Sequence, residues 1–307
     1  MTTKTGSPMT ASTTRSEGGQ STALVTMRTL LPNLRASERR IAELFLADPE
    51  ASAELAIAEV AERSGTSTTS VIRLCKRLGY KGFKDLRNDV LREVTRESFE
   101  TAAFAGTPRD IDRSDSIEDI IAKVSLAETL SIADTTKVLD VVALGKAADA
   151  LAAATRIDIF GLGASSFVGE DLQQKLVRIG RAALRWPDSH AAWTAATTLG
   201  PGCVAVALSH SGATVDTISF LDLARSAGAT TIAITNHSSS PLTEAADIVL
   251  TTAARETGFR SGALGSRIAQ LMVIDCLFIR VAQLDFDASM EAIRNTYATI
   301  QRLTAKR

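Results

Sequence analysis

The spacing of apolar positions divides the chain into three stretches. Residues 1–22 are rich in Thr, Ser and Gly with almost no large apolar side chains. Such a segment buries too little surface to offset its ordering entropy, which predicts a disordered tail. From Leu24 the apolar residues recur at three- and four-residue intervals, the period of helices packed on one face. Beyond Arg156 short apolar runs alternate with helical segments instead. Between them, Thr107-Pro108-Arg109-Asp110 and the polar run Asp112–Ser116 mark a linker over residues 101–116. Helical spacing resumes over 117–133 and again over 136–154.

The first folded stretch, residues 23–100, predicts an all-α domain. Ser37, with a carboxylate in the following turn, suggests a helix start, and Ile41, Leu44 and Phe45 follow on one face. A short helix carrying Ile57, Val60 and Ala61 stops at Ser64-Gly65, where glycine suits a left-handed C-terminal position. Ser67 caps the next helix, whose stripe is Val71, Leu74, Cys75 and Leu78. Two short helices joined by about three residues including glycine form a helix-turn-helix. At about 100° per residue, Thr69, Arg73 and Lys76 point away from that stripe, with Ser70 and Arg77 at its flank. These side chains suit contacts to phosphates and base edges.

From residue 156 the pattern predicts five strands: 156–160, 182–186, 203–208, 230–235 and 248–250. Helices intervene, and two more follow, from about 261 to 284 and from 288 toward 303. Strands alternating with helices predict a doubly wound parallel α/β sheet, in which ligands sit at the C-terminal ends of the strands. Two polar loops follow strands there. Ser209-His210-Ser211-Gly212-Ala213-Thr214 turns directly into a helix. Helix-start N–H groups, three hydroxyls and a glycine that admits close approach make an anion site; an ordinary strand-to-helix turn is the plainer alternative. Gly161-Leu162-Gly163-Ala164-Ser165-Ser166 is not a dinucleotide fingerprint, because the next glycine, Gly169, falls three residues too late. Its serines, Ser165 and Ser166, suit sugar hydroxyls or phosphate.

Charge sharpens the first domain and leaves the second unchanged. The chain has 307 residues and a net charge of −1, so any nucleic-acid signal must be local. Residues 63–96 hold nine basic and three acidic side chains, a net of +6, whereas residues 27–62 hold four and seven, a net of −3. A DNA-facing side gives such an asymmetry, and so does a solvated bundle with lysines outside. Cys75, Cys203 and Cys276 lie in apolar segments and read as small buried hydrophobes of a reducing compartment. No cluster has metal-ligand spacing, so no metal or cofactor is expected. Without an apolar run of about 18 residues there is no membrane-spanning helix, and without a secretory leader the expectation is cytoplasmic.

Ile57–Ser67, followed by Val71-Ile72-Arg73-Leu74-Cys75-Lys76-Arg77-Leu78-Gly79-Tyr80-Lys81-Gly82-Phe83, resembles the N-terminal domain of RpiR/MurR-type bacterial transcriptional regulators. The resemblance implies a recognition helix over 68–78, including Thr68, with Lys81 and Lys84 beside the DNA backbone. Within a second domain of residues 117–307, residues 117 to about 290 resemble a SIS (sugar isomerase) domain in the two polar loops, in Thr235-Asn236 with Ser240-Pro241-Leu242, in Ala246-Asp247, and in Ser266–Leu271 with Ile274-Asp275. In that family the loops hold a phosphosugar. Carried over, Ser209, Ser211, Gly212 and Thr214 bind phosphate, with Ser165 and Ser166 helping.

Glu256 follows the fifth strand, where isomerases of this kind carry a carboxylate base. In a regulator it is expected to bind a sugar hydroxyl, a surface position being the alternative. His210 admits a general-base role or none, and Arg260 an anion contact or a surface ion pair. The apolar segment 271–284 is expected to form core and subunit interface. The leading expectation is a non-enzymatic transcription factor, a homodimer or homotetramer with operator DNA and a phosphosugar effector as partners and no membrane partner. The alternatives are a sugar-phosphate isomerase using Glu256 and His210, and a phosphosugar-binding adaptor.

Overall fold

The computed structural model describes residues 23–100 (side chains through Thr95), 111–255 and 263–304. The tail, most of the linker, Glu256 and Arg260 lie outside these residues. The N-terminal domain comprises α1 (Ala23–Leu30), a 3-10 turn (Leu31–Asn33), α2 (Ala36–Ala47), α3 (Pro49–Glu54), α4 (Ile57–Arg63), α5 (Thr68–Arg77) and α6 (Phe83–Glu100). The C-terminal domain runs α7 (Ile117–Val138), α8 (Val141–Ala153), β1 (Arg156–Gly161), α9 (Ala164–Arg178), β2 (Ala183–Arg185), α10 (Ser189–Ala196), β3 (Cys203–Leu208), α11 (Val215–Ser226), β4 (Thr230–Thr235), α12 (Pro241–Glu244), β5 (Ile248–Thr251), α13 (Leu264–Leu284) and α14 (Phe286–Thr304).

In the first domain the apolar stripes predicted from spacing converge. Ile41 and Phe45 of α2, Val60 of α4, and Val71, Leu74 and Cys75 of α5 share one core with Leu24, Met27, Leu86 and Val90. Two boundaries differ from expectation. α2 begins at Ala36, so Ser37 does not cap it; the Glu38 carboxylate instead accepts the Arg35 N–H from inside the first turn (3.2 Å). In the second domain the predicted break at 134–135 does not occur. Asp134 and Thr135 are buried within α7, where Thr135 Oγ1 donates to Ser131 O and Asp134 is ion-paired. The break falls at Leu139-Asp140, and Asp140 caps α8 by accepting from Val142 N and Ala143 N. Polarity at 134–135 signalled partners elsewhere in the fold rather than a helix end.

The five strands form one parallel sheet in the order β2-β1-β3-β4-β5. Alternation along the strands sorts large from small. Ile157, Ile159, Val204, Val206, Leu208, Ile232 and Ile234 face α8, α9 and α13. Ala205, Ala207 and Ala233 face α10, α11 and α12, with Phe160 and Phe220 filling the space between (ring centroids 5.5 Å). Within α13, Val273, Ile274, Leu277 and Val281 are core, while Ile279 and Leu284 are exposed. Of the cysteines only Cys75 is buried; Cys203 and Cys276 are half-buried. No described helix is long and apolar enough to cross a membrane.

From β1 the chain winds outward to the edge strand β2 and then back across to the central strand β3. The strand order therefore reverses between β1 and β3, and the loops leaving these two strands splay apart at the sheet's C-terminal edge. Such a reversal opens a crevice. The two polar loops flank it.

Candidate functional site

The crevice is a cavity of about 240 Å³ lined by Leu162, Ala164, Ser165, Leu208, Ser209, His210, Ser211, Thr214, Ala263 and Ser266. β1 and β3 align so that Gly161 lies opposite Leu208. A Cβ on Gly161 would sit 2.9 Å from the Leu208 carbonyl oxygen, so glycine permits the two strand ends to converge. Ser209 is 4% exposed. Its hydroxyl accepts from Gly212 N (3.2 Å) and lies 3.0 Å from Thr214 Oγ1 and 3.5 Å from Ser211 Oγ. Three hydroxyls are thus gathered on one turn.

Gly212 holds that turn with φ +63°, in the left-handed region. A Cβ there would lie 2.6 Å from Ser240 Cβ and 2.9 Å from Thr235 Oγ1, so both backbone angle and space require glycine. Thr214 occupies the N-cap of α11 without a side-chain cap bond, its hydroxyl being turned toward Ser209 instead. The N-terminus of α11 thus begins at a cavity-lining residue whose side chain does not cap it, an arrangement that favours an anion.

The expected serines of the first loop separate. Ser165 lines the cavity and donates its hydroxyl to Gln270 Oε1 (3.2 Å). Ser166 does not line it; its hydroxyl donates to Gly163 O, inside its own helix start (2.7 Å). Ser266 and Gln270 were not singled out as site residues. They stand one turn apart on α13, buried, facing Ser165. Two polar residues at i and i+4, in line with the apolar stripe Val273, Ile274 and Leu277 of the same helix, were the available signal.

The proposed DNA-reading face has a firm frame. Gly65 takes φ +59°, and Ser67 Oγ accepts from Ser70 N to cap α5 (3.3 Å). Ser67, Thr68, Thr69, Arg73, Lys76, Lys81 and Lys84 are all exposed. Ser70 departs from expectation: it is 5% exposed, with its hydroxyl 3.1 Å from Ser67 Oγ, so its side chain belongs to the cap rather than to the outer face. Arg77 is exposed but engaged, donating to Glu38 Oε2 (3.2 Å) and Asn33 O (2.7 Å). It braces the start of α2 against the end of α5. Tyr80 donates to Asp89, tying the turn that carries Lys81 to α6.

Comparison with known proteins follows this division. Residues 22–97 match the helix-turn-helix domain of the rpiR family, and residues 150–280 match the SIS domain. The uncharacterized HTH-type transcriptional regulator TTE0211 of Caldanaerobacter subterraneus subsp. tengcongensis is 37% identical over 273 residues, 89% of this chain and 95% of its own length. The chain belongs to the rpiR family of HTH-type transcriptional regulators. A second family member, the uncharacterized regulator YbbH of Bacillus subtilis, is 32% identical over 92% of this chain and 98% of its own. Among solved structures, the Vibrio vulnificus NanR protein complexed with ManNAc-6P is 26% identical and covers 92% of this chain and 98% of its own (TM-score 0.57). The sugar isomerase domain of an RpiR transcription factor from Sphaerobacter thermophilus shares the fold of the C-terminal half (TM-score 0.54, 22% identity, 58% of this chain and 98% of its own). As an rpiR-family protein with both domains in place, the chain is a transcriptional regulator and not an isomerase carrying an accessory domain.

Proposed function

We propose that this regulator binds operator DNA through α5 and senses a phosphosugar in the crevice between β1 and β3. The observation that carries the effector half is the turn Ser209–Thr214, where three hydroxyls and the N-terminus of α11 converge beside the buried Ser165 at the start of α9. Neutral donors arranged in this way suit a phosphate monoester, and the remaining hydroxyl and apolar lining suits a sugar ring. NanR, bound to ManNAc-6P, supports a sugar phosphate as the ligand class. Ser165, Ser209, Ser211, Gly212, Thr214 and Ser266 are the contacts proposed, with Glu256 a further hydroxyl ligand. On the DNA side Ser67, Thr68 and Thr69 lie at the N-terminal end of α5, the end that reaches base edges in helix-turn-helix proteins. Arg73, Lys76, Lys81 and Lys84 supply charge toward the phosphates. Such domains read paired half-sites, which fits a homodimer or a homotetramer acting on cytoplasmic DNA.

Fluorescence anisotropy with DNA from upstream of its own gene tests this reading. The expected result is a saturable, salt-sensitive complex whose affinity changes when hexose 6-phosphates or N-acetylhexosamine 6-phosphates are added. A chain that melts at the same temperature with and without every such ligand, and ignores them all on DNA, would sink it.

A further inference from the structure

Each of the three apolar core clusters lies wholly within one domain, and polar bonds cross between the two domains. Interfaces of this kind rearrange readily. The contacts that do cross are placed with respect to the crevice. Two carbonyls of the hydroxyl loop are held by the end of β4 and the chain that follows it. His210 O accepts from Asn236 N (3.1 Å) and Thr235 Oγ1 (3.3 Å), and Gly212 O accepts from Leu242 N (3.0 Å). At its other side this same stretch touches the DNA-binding domain. Asn33 Nδ2 donates to Ser239 O (2.6 Å), and the His237 ring lies 3.5 Å from Thr29 O.

A second tie runs beside it. Asn236 Oδ1 accepts from Ala254 N (2.6 Å) and Thr252 Oγ1 (3.1 Å), at the exit of β5. The next residue, Arg255, reaches the fully buried Asp134 of α7 (2.5 Å), which also receives Lys137 (3.1 Å) and, from the DNA-binding domain, Arg28 (2.7 Å). Three cations on one buried carboxylate have a specific consequence. Breaking a lone buried pair leaves an uncompensated charge and is strongly destabilising. Here Arg28 can depart while Arg255 and Lys137 still hold Asp134, so this contact can open and close.

Building on the proposed phosphosugar site, we infer that residues 236–240, together with the Arg28–Asp134 contact, form the joint through which effector occupancy reaches the DNA-binding domain. An anion drawn against the amides of the hydroxyl loop shifts peptide planes whose carbonyls are bonded to this joint. The joint in turn sets the seat of α1 and of the turn at Asn33. Coupling of this kind is reciprocal, so DNA binding must alter effector affinity by the same factor.

The test uses the full chain with Arg28→Ala and Asn33→Ala combined; the Arg28 side chain is 25% exposed, and Asp134 keeps two partners. The probes are N-acetylmannosamine 6-phosphate, glucosamine 6-phosphate and fructose 6-phosphate, scored by the ratio of DNA affinities with and without each. In the wild type the responding probe is expected to change DNA affinity by roughly 5- to 150-fold. In the double variant that ratio falls to within about 2-fold of unity, while calorimetry shows the probe still bound. A ratio unchanged in a variant that binds the probe overturns the joint and leaves the effector reading standing. No response to any probe in the wild type overturns the effector reading, and the joint with it. Hydrogen exchange of the wild type gives an independent check. The probe should change protection over residues 24–34, and unchanged protection despite altered DNA affinity counts against the joint.

Discussion

Glu93 on α6 is fully buried, and its Oε2 accepts the Leu24 N–H of α1 (2.9 Å). Among the described residues its second oxygen has no hydrogen-bond partner. Burial pushes its carboxyl from an ordinary 4.5 to about 7, against the opposing pull of the Leu24 N–H, Lys137 and Arg28, and with the aid of Asp134. The folded protein thus binds this proton more tightly than the unfolded chain does. The associated stability is fully present below about pH 4.5 and is lost as pH rises through about 7. A gap of about 2.5 pH units, at about 1.36 kcal/mol each, amounts to ~3 kcal/mol, of which about 2.5 kcal/mol falls between pH 5 and pH 8. Glu93→Gln keeps the shape of the protonated acid and removes its titration. Urea unfolding followed by far-UV circular dichroism across that range should show the variant gaining on the wild type by about 2.5 kcal/mol as pH rises. A stability difference that stays flat from pH 5 to pH 8 would refute the argument that burial dominates at this site.

Two further outcomes bear on the separate halves. Gly212→Ala places a Cβ at a left-handed φ and against Ser240 and Thr235; calorimetric titration should show sugar-phosphate binding lost or weakened by about 10-fold or more, with ~2–4 kcal/mol of stability lost. Arg73→Ala should weaken DNA binding by about 1–3 kcal/mol for a base contact, or lower the salt slope by about one for a phosphate contact. Its thermal stabilisation by sugar phosphate should match the wild type.

The parallel α/β architecture and the helix-turn-helix were legible because each rests on local periodicity. Alternating Val and Ile against Ala in β3 and β4 needed only a sheet buried on both faces. The stripe Val71, Leu74, Cys75 and Leu78 needed only a helix with one covered side. The hydroxyl loop was legible because its chemistry is contiguous in sequence. What escaped was chemistry completed by distant segments. Gln270 gains its place only because α13 returns over the start of α9. Asp134 looked like a helix breaker because Arg28 and Arg255, which satisfy it, lie 106 and 121 residues away. Ser70 is expected at the flank of the DNA-facing side, but its hydroxyl bond to Ser67 draws it into the helix cap.

The lining of the crevice contains ten described residues and neither lysine nor arginine among them. On the proposed function, the two ligands are held by different physics. DNA would be retained by mobile surface cations that displace condensed counterions, and such binding falls steeply as salt is raised. A phosphosugar would be retained by fixed N–H dipoles and hydroxyls in a partly enclosed cavity, where mobile ions screen far less. Ionic strength then becomes a control that acts on one ligand and largely spares the other. In a cell whose salt content rises, DNA occupancy would drop first, and the effector site would feel the change only through its coupling to DNA.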